Sequence, residues 1–220
     1  MRGKFITFEG LDGSGKSTQI EKLARALRAG GLSVKATREP GGTATGEEIR
    51  HVILDSKTAG LSPMSEMALM FASRAQHIQE VILPAIAEGK FVLCDRFTDS
   101  TEAYQGGGRK LGSEAVLTLH RILCGDLQPD LTILMDSDVA RSVDRARRRN
   151  RKKSASSSND ENRFEQENRA FFGRVYNAYM AIAERDNKRV VMVNARGTPA
   201  ETHRRIIEIV RSRFRLAGRA

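Results

Sequence analysis

Residues Gly10 to Ser17 read GLDGSGKS, a match to G-x-x-x-x-G-K-[ST], and the flanking sequence narrows what such a segment can be. An apolar run, Lys4 to Phe8 (KFITF), precedes it. Ser17 to Arg28 follows, with Ile20, Leu23, Ala24 and Leu27 on one helical face. A strand that turns through glycines into a helix is a phosphate cradle. The glycines let backbone N–H groups turn inward around a β-phosphate, and the helix N-terminus adds positive potential. Lys16 then bridges phosphate oxygens, and Ser17 can ligate Mg²⁺. The bland alternative is a glycine turn before an ordinary helix. A cradle of this kind specifies a nucleoside triphosphate and leaves the acceptor open.

Three further apolar runs stand at Phe91 to Cys94, Leu131 to Met135 and Val190 to Val193, with a fifth candidate strand at Ser33 to Thr37. They are nearly continuous rather than alternating, as strands covered on both faces of a parallel sheet read. Helical segments lie between them, and Pro199 to Leu216 carries Ile206, Ile207, Ile209 and Val210. The expectation is an α/β fold: a doubly wound, five-stranded parallel sheet flanked by helices, of the P-loop NTPase type, with a helical lid. At 220 residues the chain suits one domain, 1–220, with a flexible lid at about 141–163 inside it. The polar run RKKSASSSNDEN, Arg151 to Asn162, is the one segment that reads as a mobile loop.

No stretch approaches the roughly 18 apolar residues that span a bilayer, and Met1 to Phe8 lacks the pattern of a signal peptide. A cytoplasmic protein without a membrane partner is expected. Cys94 and Cys124 show no C-x-x-C spacing and read as reduced core residues. His51, His77, His120 and His203 are scattered, with no neighbouring ligands in sequence. The net charge of +10 points to anionic partners and does not by itself separate nucleotides from nucleic acid. Much of it lies in Arg141 to Lys153.

Asp95 and Arg96 follow the run FVLC, so they emerge at the carboxyl end of a sheet strand, where open α/β sheets bind ligands. A carboxylate there suits a Mg²⁺ contact and a guanidinium suits transferring phosphates. A structural ion pair capping the strand is the alternative.

Four segments together carry a resemblance: Phe8 to Thr18 (FEGLDGSGKST), Thr37 to Thr43 (TREPGGT), Asp95 to Arg109 (DRFTDSTEAYQGGGR) and Pro129 to Thr132 (PDLT). In order and spacing they resemble the bacterial thymidylate kinases along nearly the whole chain. The resemblance implies transfer of the γ-phosphoryl group of ATP to dTMP, giving dTDP and ADP, in a homodimer. It implies ATP binding by Gly10, Leu11, Asp12, Gly13, Ser14, Gly15, Lys16, Ser17 and Thr18. It implies Mg²⁺ held by Ser17, Asp95 and Glu9, in part through water. The dTMP set it implies is Asp12, Glu39, Arg50, Phe71, Arg74, Arg96, Ser100, Thr101, Tyr104 and Gln105. Asp12 would approach the 3′-hydroxyl, Arg50 and Arg96 would hold the 5′-phosphate, and Phe71 would stack on thymine. Arg74 would donate to the base, Thr101 and Gln105 would face its polar edge, and Tyr104 would press near the 2′ position. Taken without the resemblance, Phe71 reads as core packing and Arg74 as a surface arginine.

The helix expected over Val139 to Asn150 resembles the basic lid of these kinases, with Arg145, Arg147 and Arg149 closing over ATP beside Lys16 and Arg96 as the catalytic set. A solvated charge run is the alternative. The loop between Arg149 and Arg163 is longer and richer in Ser and Lys than the family's pattern, so which lid arginine acts stays open. The acceptor is a phosphate oxygen already ionised at neutral pH, so no general base is expected. Two kinds of rival remain open: a kinase for another nucleotide or a deoxynucleoside kinase, in which Glu9 would be the base, and a P-loop protein that binds nucleic acid through RARRRNRKK. The latter lacks the interleaved aromatics of single-strand binders.

Overall fold

A computed structural model of the chain describes residues 2–58, 60–154, 163–164 and 166–216, the side chains of 56, 149 and 151–154 excepted. Five strands form one all-parallel sheet: β1 (Lys4–Glu9), β2 (Val34–Arg38), β3 (Phe91–Asp95), β4 (Leu131–Asp136) and β5 (Val190–Asn194), in the order β2-β3-β1-β4-β5. Each lies within a residue of the expected run. All five gain a polar residue at the carboxyl end (Glu9, Arg38, Asp95, Asp136 and Asn194), because the ladder runs on past the expected stretch.

The helices are α1 (Lys16–Ala29), α2 (Ala44–Leu54), α3 (Pro63–His77), α4 (Leu83–Ala87), α5 (Thr98–Thr101), α6 (Ser113–Cys124), α7 (Val139–Ser154), α8 (Arg169–Arg185) and α9 (Pro199–Phe214). Alternate residues of each strand face opposite ways. Ile6, Phe8, Leu93 and Ile133 pack under α1 and α9 against Leu23, Leu27, Ile206 and Val210. Phe5, Val92 and Cys94 pack on the other face against Met67, Phe71, Ile82 and Val116. A second cluster on the α8 side gathers Tyr104, Phe171, Val175 and Tyr179 with Leu134 of β4. Both faces are therefore covered, which is the doubly wound architecture of the P-loop NTPase fold.

Two helical stretches widen to π-helix, Ile78–Ile82 after α3 and Glu102–Gly108 after α5. The second carries Tyr104 and Gln105, and such wide turns favour functional positions. It presses against α8 so closely that a methyl group on Gly108 would meet the Phe171 ring at 2.6 Å. The lid helix α7 runs four residues beyond the expected Asn150, and 155–162 lie outside the described residues.

In this strand order β1 and β3 are neighbours, and the chain leaves β1 for β2 on one side of the sheet and β3 for β4 on the other, so the two connections run in opposite directions. The crevice at the carboxyl ends of β1 and β3 is thus the switch point where ligands bind.

Candidate active site

A cleft of about 930 Å³ opens at that switch point. Its floor is the glycine loop: Asp12, Gly13, Ser14, Gly15, Lys16, Ser17 and Thr18 all line it. Gly10 and Leu11 do not. They form the buried start of the loop, and their carbonyls accept from Lys16 Nζ at 3.0 Å each. Gly15 starts α1 with a φ of 98°, and no side chain caps the helix, which leaves its first N–H groups aimed at the cleft. Gly13 also has a positive φ, 81°, and a methyl group there would meet the Ser142 carbonyl of α7 at 2.2 Å. Only glycine lets the lid helix stand this close to the cradle. Burial, with the Arg96 charge behind it, pushes the Lys16 amine below the usual lysine range, against the pull of Asp95, Asp12 and Glu9.

The donors present fit a hard divalent cation. Ser17 Oγ donates to Asp95 Oδ2 at 2.8 Å, and the second carboxylate oxygen, Oδ1, is buried with no hydrogen-bond partner among the described residues. Glu9, expected to join them, stands elsewhere. It is fully buried, off the cleft wall, and its oxygens accept from the Phe97 N–H (2.7 Å), the Ser100 hydroxyl and the Tyr179 hydroxyl (3.0 Å). The expectation of a metal contact from Glu9 is therefore not met. Its carboxylate fixes the turn that follows β3.

Burial, reinforced by Asp99, raises the Glu9 pKa from 4.5 to about 7. The folded protein holds this proton more tightly than the unfolded chain does. The contribution of Glu9 to stability is therefore full below about pH 4.5 and is lost as the pH rises to about 7, a change on the order of 3 kcal/mol. Urea unfolding of the wild type and of Glu9→Gln, which cannot titrate, measures this. The wild type should lose stability relative to the variant between about pH 4.5 and about pH 7. Parallel curves for the two proteins would refute it.

The acceptor wall is built from β3, α3 and the turn after α5. Arg96 has a φ of 73°, and its guanidinium reaches Asp12 Oδ1 (2.9 Å), Ser100 Oγ (2.8 Å), Tyr179 OH (3.1 Å) and Tyr104 OH (3.2 Å). Burial alone would lower its pKa, but Asp12, Tyr104, Tyr179 and Asp95 together outweigh that and hold it well above the usual arginine value. Tyr104 also touches Asp12, at 3.3 Å. Arg50 lines the cleft and donates to the Pro40 carbonyl at 3.1 Å.

Arg74 is not a surface residue: it is 2% exposed. Its Nε donates to Glu39 Oε2 (2.7 Å) and its Nη2 to Thr101 Oγ1 (2.9 Å), while Nη1 has no partner among the described residues. Phe71 differs from what the resemblance implies. It is fully buried and off the cleft wall, and Arg74 lies 5.0 Å over its ring and 5.2 Å over that of Phe97. The i, i+3 spacing does place both residues together, as a stacked pair with Arg74 toward the cleft.

Behind them the structure gathers residues that the sequence leaves apart. His77 Nδ1 meets Glu39 Oε1 at 2.9 Å and its Nε2 meets Thr37 Oγ1 at 2.6 Å. Glu39, His77 and Cys94 bring potential ligand atoms within 4.8 Å of one another. Glu39 is committed to Arg74 and His77, and burial holds the Cys94 thiol protonated, so the cluster serves Arg74.

Sequence reasoning also missed Glu66, Arg109 and Arg163, and the wall residues Ala195, Gly197, Pro199 and Thr202. Glu66, Ser73, Arg74 and His77 fall on one side of the helix, and that buried polar stripe on α3 was the available signal. Of the lid arginines, Arg145 lines the cleft, Arg147 donates to the Glu167 carbonyl at 3.1 Å, and the side chain of Arg149 lies outside the described residues.

The family model for thymidylate kinase matches residues 8–206. A thymidylate kinase of Pelobacter propionicus is 46% identical over 205 residues, covering 93% of this chain and 92% of the relative. One from Pseudomonas fluorescens is 50% identical over 195 residues, 89% of each chain. The crystal structure of a thymidylate kinase from Ehrlichia chaffeensis superposes with a TM-score of 0.76 at 30% identity, covering 96% of this chain and all of that one.

Proposed function

The chain belongs to the thymidylate kinase family, and from that premise we propose how its residues divide the reaction. The enzyme is a phosphotransferase that moves the γ-phosphoryl group of ATP to dTMP, giving dTDP and ADP. One observation carries the reading of the site. Of six buried side-chain polar atoms with no partner among the described residues, five belong to residues lining this cleft: Ser14, Gln19, Arg74, Asp95 and Gln105. Buried polar atoms are otherwise almost always paired, so five such atoms in one cavity mark a polar ligand.

The loop from Gly13 to Thr18 and α1 hold the donor phosphates, and Arg50 and Arg96 hold the 5′-phosphate of dTMP. Asp12, fixed by Arg96, receives the 3′-hydroxyl, and Tyr104 stands at the 2′ position. Arg74 Nη1 donates to the thymine 4-keto oxygen and Gln105 Oε1 accepts its ring N–H. Ser17 and Asp95 would hold Mg²⁺, which supplies charge neutralisation between the donor phosphates. The acceptor oxygen is already ionised, so catalysis rests on alignment and charge: Lys16, Arg96 and the lid arginines, Arg145 foremost, stabilise the equatorial oxygens. The lid over 141–163, part of one catalytic domain spanning 1–220, closes over ATP and excludes water.

We place this chemistry in the cytoplasm, in a homodimer. Met64, Ile122 and Leu123 are exposed apolar residues on α3 and α6, two helices that pack together, and a second copy is the occupant they suit. Sedimentation equilibrium should give twice the chain mass of 24.4 kDa; a monomer at micromolar concentration would sink the dimer. The reaction itself is tested by steady-state kinetics with ATP, Mg²⁺ and a panel of nucleosides and monophosphates. We expect dTMP to be the preferred acceptor, and faster phosphorylation of thymidine would overturn the reading.

A further inference from the structure

We infer that Glu66, a residue that touches no substrate, reinforces the choice of pyrimidine that Arg74 makes at the 4-position, by fixing which way the Gln105 amide points. The inference rests on the reading of Gln105 given above. Glu66 lies on α3, fully buried. Its Oε1 accepts from Gln105 Nε2 at 2.7 Å and from Arg109 Nε at 3.2 Å, and its Oε2 accepts from Arg109 Nη2 at 3.2 Å and from Arg163 Nη2.

The oxygen and nitrogen of a glutamine amide are nearly equal in size, so hydrogen bonding alone decides which faces a ligand. A carboxylate held between two guanidinium groups can only accept. Turning the Gln105 amide over would bring its oxygen against Glu66 Oε1, acceptor against acceptor. Glu66 therefore claims the NH₂ group and leaves Oε1 as the free end, which is the atom of this residue with no partner among the described residues. A carbonyl oxygen on the cleft wall accepts the ring N–H of thymine. Cytosine carries a bare ring nitrogen at that position, and two lone pairs would meet. A glutamine free to turn would serve cytosine by donating instead. Selectivity for the thymine edge is thus held in place from behind, from a residue on the same helix as Arg74.

The same carboxylate grips Arg163, at the return of the lid, which also donates from Nε to the Ile53 carbonyl at 2.7 Å. A purely structural role would be to anchor that segment. The two roles separate in the ratio of kcat/KM for dTMP to that for dCMP, which does not depend on the folded fraction of a preparation. In Glu66→Gln the ratio should fall about tenfold or more, chiefly through better use of dCMP. Should that variant fold poorly, Glu66→Leu combined with Arg163→Met removes both charges without leaving one buried and unpaired, and the ratio should fall as far. Arg163→Gln alone should lower turnover of both substrates and keep the ratio. Gln105→Leu tests the underlying reading, since it should lower the ratio whatever Glu66 does, to the level that Arg74 sustains at the 4-position. If Gln105→Leu lowers it while neither Glu66 variant moves it, Glu66 only anchors the lid and the inference is wrong. If Gln105→Leu leaves it intact, the reading of Gln105 fails and takes the inference with it.

Discussion

Replacing Lys16 by alanine is expected to lower kcat about 10³-fold, with a much smaller change in KM for dTMP. The ammonium is 5% exposed and rests on the carbonyls of Gly10 and Leu11, with no carboxylate in direct contact. A buried cation satisfied by neutral carbonyls is poorly compensated, and its pKa is lowered accordingly. Phosphate oxygens arriving at the loop supply the negative partner that the fold withholds. The attraction grows as charge builds on the transferring group, so its loss appears in kcat. Removing the cation also removes a desolvation cost, so Lys16→Ala should unfold no earlier than the wild type. A variant that keeps more than about a tenth of wild-type kcat would show that the loop amides suffice and that Lys16 is structural.

Much of the fold could be read from the chain because the parallel sheet is covered on both sides. Its strands are then apolar throughout, and KFITF, FVLC, LTILM and VVMV announce themselves. The pattern stops one residue short at four carboxyl ends, since Glu9, Asp95, Asp136 and Asn194 are polar and yet paired in the ladder. Those ends abut the cleft, where local pattern and global fold part company. The glycine loop was legible for a related reason: its conformation can be met by few residues, so function is written directly in the sequence.

The acceptor wall was legible only in part. Arg74, Thr101, Tyr104 and Gln105 line the cleft, whereas Phe71 and Glu9 lie off its wall. An aromatic residue three positions from an arginine can stack on a ligand or on that arginine, and only packing against Phe97 and the β3 face decides. Likewise a carboxylate just after an apolar strand can face a metal or turn inward to three donors, as Glu9 does. Glu66 was overlooked for the opposite reason. A glutamate inside a helix reads as solvent-facing, and its partners Gln105, Arg109 and Arg163 lie 39, 43 and 97 residues away.

Arg96 carries the second large expectation. Its backbone sits at a φ of 73°, a region that costs a non-glycine residue about 1 kcal/mol or more, and the surrounding contacts hold it there. The Arg96 N–H donates to the Phe8 carbonyl at 2.9 Å, which ties the turn after β3 to β1, and the Cys94 thiol donates to its carbonyl. This turn aims the guanidinium across the cleft mouth between Asp12 and Ser100, on the line from the donor cradle to the acceptor site. Arg96→Ala is expected to lower kcat/KM for dTMP about 10³-fold or more, in both kcat and KM, because one group positions the acceptor phosphate and stabilises the charge that develops during transfer. Lysine cannot reach Asp12, Ser100, Tyr104 and Tyr179 from one planar fork, so Arg96→Lys should recover less than about a tenth of the activity. Arg96→Gly separates backbone from side chain. It relieves the left-handed strain and should melt no lower than Arg96→Ala, while losing as much activity. Were the glycine variant to retain activity near the wild-type level, the residue would matter only for the turn it makes, and the two phosphates would have to be brought together by other groups.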